Sequence, residues 1–416
     1  METADAPPER RSAAAAQAAT MAGPAMGSLP QAESAALKVV DYNFVNQDLN
    51  AEARKLRERI AARSDPGDLT EYIRCWSEDD VIDGRPCKAL VVILKTRGCT
   101  WALAGGCTMC GYANESAWKK VSAEELVAQF ERAWRKYAGE ELVKIYTSGS
   151  FIDRFEVMPE AQQRILSLIG KPSPQERGST PSASSSAQAG RKAPLKVAFE
   201  SLPGFVTDEA LGRLESLVQK LEVGIGVESC NDRVLRDSVN KGHSFTDFPR
   251  AAEVCRRHNV SVKAYLMCKP PFLKESDALT DATRTIAAAA PNADMVSLNP
   301  TNIQSNTLVD ALYKKGSYRP PWLWTIVKAL LDGRTQAEGA GFKGMLKSDV
   351  IAAGQDRGAH NCGKCDETVA GYLKKYKAAQ DKKWLAKCLE DVQCACRREW
   401  QLTLELGPLI PGYGKL

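Results

Sequence analysis

The sequence predicts an α/β fold: a partial (βα)6 barrel followed by a small helical, cysteine-rich C-terminal module. Three observations carry that expectation. Short apolar runs rich in β-branched residues recur through the middle of the chain, and amphipathic helical patterns separate them. The residues after 330 read mainly as helix and hold a cysteine cluster of their own.

The strand candidates are Ala89–Leu94 (ALVVIL), Leu142–Tyr146 (LVKIY), Leu195–Phe199 (LKVAF), Val223–Val227 (VGIGV), Val260–Met267 (VSVKAYLM) and Met295–Leu298 (MVSL). Each is the length of a strand and too short for a stable helix. Between them, Ala123–Tyr137, Asp208–Lys220 and Phe248–His258 carry the 3.6-residue apolar period of surface helices. Strands alternating with helices imply right-handed crossovers and a parallel sheet. Six units suit a partial barrel, and on that topology chemistry belongs at the C-terminal ends of the strands.

Residues 1–38 are rich in Ala, Pro and Ser and predict a disordered tail. Glu2, Asp5 and the early prolines argue against a secretory signal or a transit peptide. The barrel, with an N-terminal extension, is assigned to 39–330, interrupted by a low-complexity insertion at 171–194; the module takes 331–416. Composition is ordinary, with 44% hydrophobic and 26% charged residues, which excludes a wholly disordered chain and a coiled coil. No apolar run approaches the roughly 18 residues of a membrane span. The net charge of +5 permits a nucleic-acid partner without requiring one.

Thirteen cysteines accompany only three histidines. Their spacings are those of metal sites and not of a disulfide framework, so a reducing, cytoplasmic setting is expected. Directly after the first strand candidate stand Cys99, Cys107 and Cys110, spaced C-x7-C-x2-C among Gly98, Gly105, Gly106 and Gly111. Three thiolates on one loop can hold an iron–sulfur cluster and leave one iron open, whereas four would close it. The same three could be incidental, or ligands of a zinc site completed elsewhere. After the next three strand candidates come Thr147-Ser148-Gly149-Ser150-Phe151, Glu200-Ser201-Leu202-Pro203 and Glu228-Ser229-Cys230. Each read alone is a small-residue turn or a solvated carboxylate; together they face one proposed site. Lys263, in the fifth candidate, reads on its own as a snorkelling lysine.

The cysteine loop resembles that of radical S-adenosylmethionine (SAM) enzymes, in which three cysteines hold [4Fe–4S] and the open iron chelates SAM. The first gap is longer than the family's common C-x3-C-x2-C, and Met109 replaces an aromatic residue. The Elongator catalytic branch shares an expanded gap. Asn240–Phe245 (NKGHSF), Lys263–Pro271 (KAYLMCKPP), Ser297–Gln304 (SLNPTNIQ), Tyr318–Trp324 (YRPPWLW) and Arg357–Cys365 (RGAHNCGKC) resemble the radical SAM proteins of archaeosine synthesis. The resemblance implies a radical SAM barrel, a [4Fe–4S] cluster on Cys99, Cys107 and Cys110, and SAM held by Thr147, Ser148, Gly149, Ser150, Glu200, Glu228 and Lys263. It further implies cleavage of a C–N bond in a lysine adduct of 7-cyano-7-deazaguanine in tRNA, giving archaeosine. The implied partners are tRNA, a lysine-transferring subunit and an electron donor, with no membrane. Two alternatives stand beside it. An Elongator-like uridine modifier would need an acetyltransferase domain for which the tail is too short. A non-catalytic Fe–S/zinc RNA-binding protein would need the cysteines but no SAM pocket.

Cys362, Cys365, Cys394 and Cys396 form a C-x2-C pair and a C-x-C pair. Four thiolates suit a closed tetrahedral zinc site, with His360 and Cys388 in reserve. A second iron–sulfur cluster or a redox pair would use the same residues. Around them stand Lys374, Lys375, Lys377, Lys382, Lys383, Lys387, Arg397 and Arg398, against Asp381, Glu390, Asp391 and Glu399, with Trp384 and Trp400 interleaved. Such a face suits phosphate tracking and base stacking, or is a solvated helix surface.

Overall fold

The sheet begins with a hairpin. Asp83 and Gly84 hold φ of 50° and 78° in the computed structural model, as a two-residue type I′ turn requires. They fold β1 (Arg74–Ile82) antiparallel onto β2 (Arg85–Ile93). Parallel strands follow: β3 (Leu142–Tyr146), β4 (Lys196–Ser201), β5 (Leu221–Glu228), β6 (Ser261–Cys268), β7 (Met295–Pro300) and β8 (Met345–Lys347). The eight form one sheet in chain order. The structure describes residues 41, 43–170, 193–350 and 352–407. The tail expected at 1–38 and nearly all of the insertion expected at 171–194 lie outside them.

The six expected strands are β2 to β7. Two corrections extend them. β1 adds an antiparallel edge, and β8, only three residues long, adds a further parallel strand within the segment assigned to the module. The main helices are α1 (Gln47–Ala61), α2 (Ala123–Trp134), α3 (Pro159–Gly170), α4 (Asp247–Arg257), α5 (Glu275–Ala289), α6 (Leu323–Gly339), α7 (Asp366–Ala379), α8 (Lys383–Asp391) and α9 (Cys396–Leu406). Ser122 starts α2 with a reciprocal capping box to Glu125, satisfying two otherwise orphaned backbone donors. The helix expected over Asp208–Lys220 is corrected to a short turn, Asp208–Gly212, and a 3-10 turn, Glu215–Leu217. Gly212 carries a helix penalty of about 1 kcal/mol, and buried Leu211 and Leu214 fix the chain where it bends.

Strand alternation sorts the side chains. Val143, Ile145, Val197, Phe199, Val223 and Ile225 face outward into the core, where they join Leu126, Phe130, Ile165 and Leu166 of α2 and α3. The other face turns inward and is charged. Lys144, Lys196, Glu222, Lys263 and Tyr265 line a lumen cavity of about 10 Å³, room for one water. Lys144 pairs with Glu78 at 2.6 Å and with Asp80, and Lys196 pairs with Glu222 at 3.2 Å. β1 and β8 are the two ends of the sheet and share no ladder bonds, yet Lys347 on β8 reaches Asp80 on β1 at 3.7 Å. Burial alone would raise the Asp80 carboxyl; Lys347 and Lys144 overcome it and hold the group below the usual carboxylate range. The sheet edges are thus joined by ions.

The C-terminal helices dock through hydrogen bonds as well as apolar packing. Trp400 on α9 donates to Thr325 Oγ1 at 2.8 Å, and Thr325 donates in turn to Glu275 Oε1 at 2.5 Å. Glu275 also pairs with Lys269 at 2.6 Å, just beyond the end of β6. Module and barrel therefore share one buried polar chain.

Candidate active site and metal centre

The cysteine loop leaves the end of β2 and is held by elements far apart in sequence. Gly105 and Gly106 have φ of 149° and 91°, conformations that favour glycine. A Cβ on Gly105 would lie 1.8 Å from Asn50 Oδ1, so α1 fits directly against the loop. From α1, Asn50 and Arg54 each donate to the Ala104 carbonyl at 3.1 Å. Arg57 donates to the carbonyls of Cys107 and Cys110 at 2.9 and 2.8 Å. On the other side Asn240 donates to Gly106 O at 2.8 Å and accepts, through its carbonyl, from the Trp101 indole at 2.7 Å. Burial pushes the Cys107 thiol up to about 11, and it drives Cys99 higher still, where the Glu156 charge adds to it. Thiols in such a place ionise when a cation takes the proton's position.

Beside Cys99 sits the loop after β3. Glu156 accepts from Thr96 Oγ1 at 2.7 Å, from Gly149 N at 3.0 Å and from Ser150 N at 2.7 Å. One buried carboxylate therefore ties the cysteine loop to Thr147–Ser150. Burial and the neighbouring Asp153 push it up to about 7. The contact is close: a Cβ on Gly149 would stand 2.7 and 2.8 Å from Cβ and Cα of Cys99. Ser148 Oγ accepts from Ser116 Oγ at 2.9 Å, and Ser150 Oγ accepts from Leu202 N at 2.9 Å, which joins the loop after β4.

The strand-end carboxylates converge on the same mouth. Glu200 is raised by burial, opposed by Lys263 and a hydrogen bond from Tyr265. Glu228 has φ of 61° at a register shift in the β5–β6 ladder. Such a bulge re-aims a side chain at a local conformational cost of about 1–2 kcal/mol. Glu228 is aimed at Lys241, 2.9 Å away. Burial works against the charge on Lys241, but Glu228 and Cys107 outweigh it and raise its pKa, with Cys99 contributing. Tyr112, two residues after Cys110, is 53% exposed.

Among the residues expected from the sequence, Cys99, Cys107, Cys110, Thr147, Ser148, Gly149, Ser150, Glu200 and Glu228 are brought to this one end of the barrel. Lys263 is not. It is the third residue of β6, and its ammonium lies 4.4 Å from the Tyr265 ring centroid. Burial brings it down to about 8, with Lys347, Glu222, Lys144 and Asp349 as its charged neighbours. Lys241 is the lysine that faces the cysteines. It stood inside the NKGHSF run but carried no signal of its own, and Asn50, Arg57 and Glu156 likewise carried none.

The second set is tighter. The Sγ atoms of Cys362, Cys365, Cys394 and Cys396 all lie within 4.8 Å of one another. Cys362–Cys394 and Cys365–Cys396 are 3.6 Å apart, and Cys394–Cys396 is 3.4 Å. A tetrahedral ion with 2.3 Å bonds to sulfur spaces its thiolates about 3.8 Å apart, so four ligands fit one ion. Trp324 Nε1 donates to Cys396 Sγ at 3.4 Å and Asn361 Nδ2 to Cys365 Sγ at 3.3 Å, outer contacts that orient ligands. Burial would raise Cys362, but the Lys364 N–H and the neighbouring thiols bring it down to about 7. The expected reserves stand apart: His360 Nδ1 meets Gly358 O at 2.8 Å, and Cys388 is buried in the apolar core. None of the thirteen cysteines is in a disulfide.

Comparison with known proteins adds the following. Residues 93–281 match the radical SAM superfamily. The chain is 39% identical over 362 residues to the archaeosine synthase subunit beta of Methanosarcina acetivorans, covering 86% of this chain and 96% of that protein. It is 34% identical over 341 residues to the subunit beta of Thermococcus kodakarensis, covering 80% and 97%. Among solved structures, the archaeal Elp3 of Methanocaldococcus infernus matches 61% of this chain and 58% of its own at 16% identity, with a TM-score of 0.41.

Proposed function

Because the chain belongs to the radical SAM superfamily, as a relative of the archaeosine synthase beta subunits, we propose that it modifies tRNA by cleaving a C–N bond in a lysine adduct of 7-cyano-7-deazaguanine, leaving archaeosine. The observation that carries this reading is the seating of Thr147–Ser150 on Cys99 through Gly149. The fit brings the polar backbone of Thr147–Ser150 beside the cysteine loop, an arrangement that a SAM pocket needs and a non-catalytic RNA-binding protein does not.

Cys99, Cys107 and Cys110 would hold [4Fe–4S], and the backbone of Thr147–Ser150 with Glu200, Glu228 and Lys241 would hold SAM against its open corner. When bound, the pair supplies a 5′-deoxyadenosyl radical at this mouth. The chain's own part is positional. Carboxylates suit an ammonium and a ribose diol, and Lys241 suits a carboxylate. The ion-filled lower lumen keeps bulk water from the reacting centre. On this reading a hydrogen atom would pass to the deoxyadenosyl radical from the lysine carbon next to the one that bears the nitrogen. The C–N bond would break to release the lysine carbons as an alkene, and the nitrogen, taking one electron from the donor and one proton, would stay on the base as a formamidine.

The lysine adduct requires a partner subunit that makes it, and the cluster requires an electron donor. The reading places the protein in the cytoplasm; no helix of the described residues is long and apolar enough to cross a membrane. Zinc would occupy the four C-terminal thiols. That module would meet tRNA through Lys375, Lys383 and Lys387, whose ammoniums lie 5.2, 5.9 and 5.8 Å from the Trp384 ring centroid, a pairing of cation and aromatic that suits phosphate and base together.

Mass spectrometry of nucleosides after incubating reduced protein and SAM with lysine-adduct tRNA tests the reaction. Archaeosine is the expected product; unchanged adduct, alongside 5′-deoxyadenosine released by the same sample, would refute the substrate. Gly149→Ala tests the seating. The added methyl must displace Cys99 or Glu156, so SAM affinity should fall at least about tenfold, or 1.4 kcal/mol. Equilibrium dialysis on iron-loaded protein measures it, and unchanged affinity would remove Gly149 from the cofactor cradle.

A further inference from the structure

Arg57 is buried, 4% exposed, on a helix that precedes the sheet. Its Nη2 is used on the carbonyls of Cys107 and Cys110. Its Nε and Nη1 are enclosed and reach no acceptor. Among the described residues the charge therefore has no carboxylate partner, unlike the other buried cation at the loop, Lys241, which Glu228 neutralises at 2.9 Å. An unpaired buried guanidinium with idle donors is among the costlier arrangements a fold can hold. It persists where an anion completes it. The groups nearby that become anionic are the loop thiols, and Arg57 holds the backbone carbonyls of two of their residues, Cys107 and Cys110, at 2.9 and 2.8 Å. The side chain also presses on the loop itself, since a Cβ on Gly106 would lie 3.1 Å from Nε.

The geometry points to Arg57 as the residue that balances the charge of the Cys99–Cys107–Cys110 cluster and sets its reduction potential. The inference rests on the reading of that loop as an iron–sulfur site. Reduction adds one electron to a group already negative; a fixed cation beside it in a poorly screened place favours the reduced form. Hydrogen bonds and local charge are the protein's levers on such potentials. Arg57 acts through the cluster and is a positioning residue.

The test compares wild-type protein with Arg57→Lys, Arg57→Gln and Arg57→Met after anaerobic reconstitution. Iron per chain is measured first, then the potential by redox titration followed by electron paramagnetic resonance. Arg57→Met should shift the potential to more negative values, and Arg57→Lys, which keeps the charge, should hold it close to that of the wild type. Should Met at this position hold no iron, Arg57→Gln, neutral yet able to donate to the two carbonyls, decides. A lowered potential with iron retained supports the inference. Neutral variants that keep their iron at the wild-type potential, or Gln and Met variants that both lose it while Lys keeps it at an altered potential, overturn it. Wild-type protein that binds no iron would instead refute the cluster reading.

Discussion

Replacing Cys99, Cys107 or Cys110 by alanine is expected to take reconstituted protein from about four irons per chain in this site to none, and SAM cleavage with it. The loss should be complete because the loop offers only these three thiols. A loop that offers three thiols to four irons already leaves one corner open. Removing another leaves two irons tied to protein, on a loop whose remaining hold is hydrogen bonding from Asn50, Arg54, Arg57 and Asn240. Those bonds keep the backbone in place, so the alanine variants should stay folded and the loss should read as metal loss. Iron analysis and release of 5′-deoxyadenosine measure the two effects on one sample. Iron unchanged in all three variants would sink the assignment.

The second large effect is expected at the C-terminal thiols. Cys365→Ser with Cys396→Ser should remove about one zinc per chain and lower the melting temperature by on the order of 10 °C. Structural zinc contributes roughly 10–16 kcal/mol in isolated finger peptides; here α9 has other anchors, so only part of that should appear. The Cys396 end of the site is wired to the barrel through Trp324 and through the Trp400–Thr325–Glu275–Lys269 chain. Instability at the module should therefore reach the end of β6. Metal analysis separates the candidates: eight irons and no zinc in wild-type protein would put a second cluster there, and equal zinc in the variant would mean that the ion sits elsewhere.

Which features were legible in the sequence follows from how local their causes are. β2 to β7 declared themselves because each is a contiguous apolar run. β1 did not, since charges at Glu78, Asp79 and Asp80 interrupt its alternation; the Asp83-Gly84 turn was the available signal and a strong one. β8 is three residues long and has no pattern to read. The cysteines were legible from spacing, because metal chemistry constrains it directly. Lys263 and Lys241 show the limit. Lys263 lies within β6 and Lys241 well beyond the end of β5, and the register of β6 and the left-handed turn at Asn240 (φ 58°) decide which one meets the cysteines. Arg57 and Glu156 were out of reach for a similar reason: their partners on the cysteine loop and its approach lie 50 to 60 residues away.

The ionic seam between Lys347 and Asp80 has a consequence for traffic. With charged side chains leaving about one water's volume in the lower lumen, a cofactor finds no passage at that end. What enters by the mouth must leave by it. On the proposed reading the reacting base must reach that mouth, and a tRNA seated over it would oblige the small cofactor to arrive first and its fragments to leave after the tRNA departs. Binding would be compulsory-ordered, set by the architecture and not by affinity.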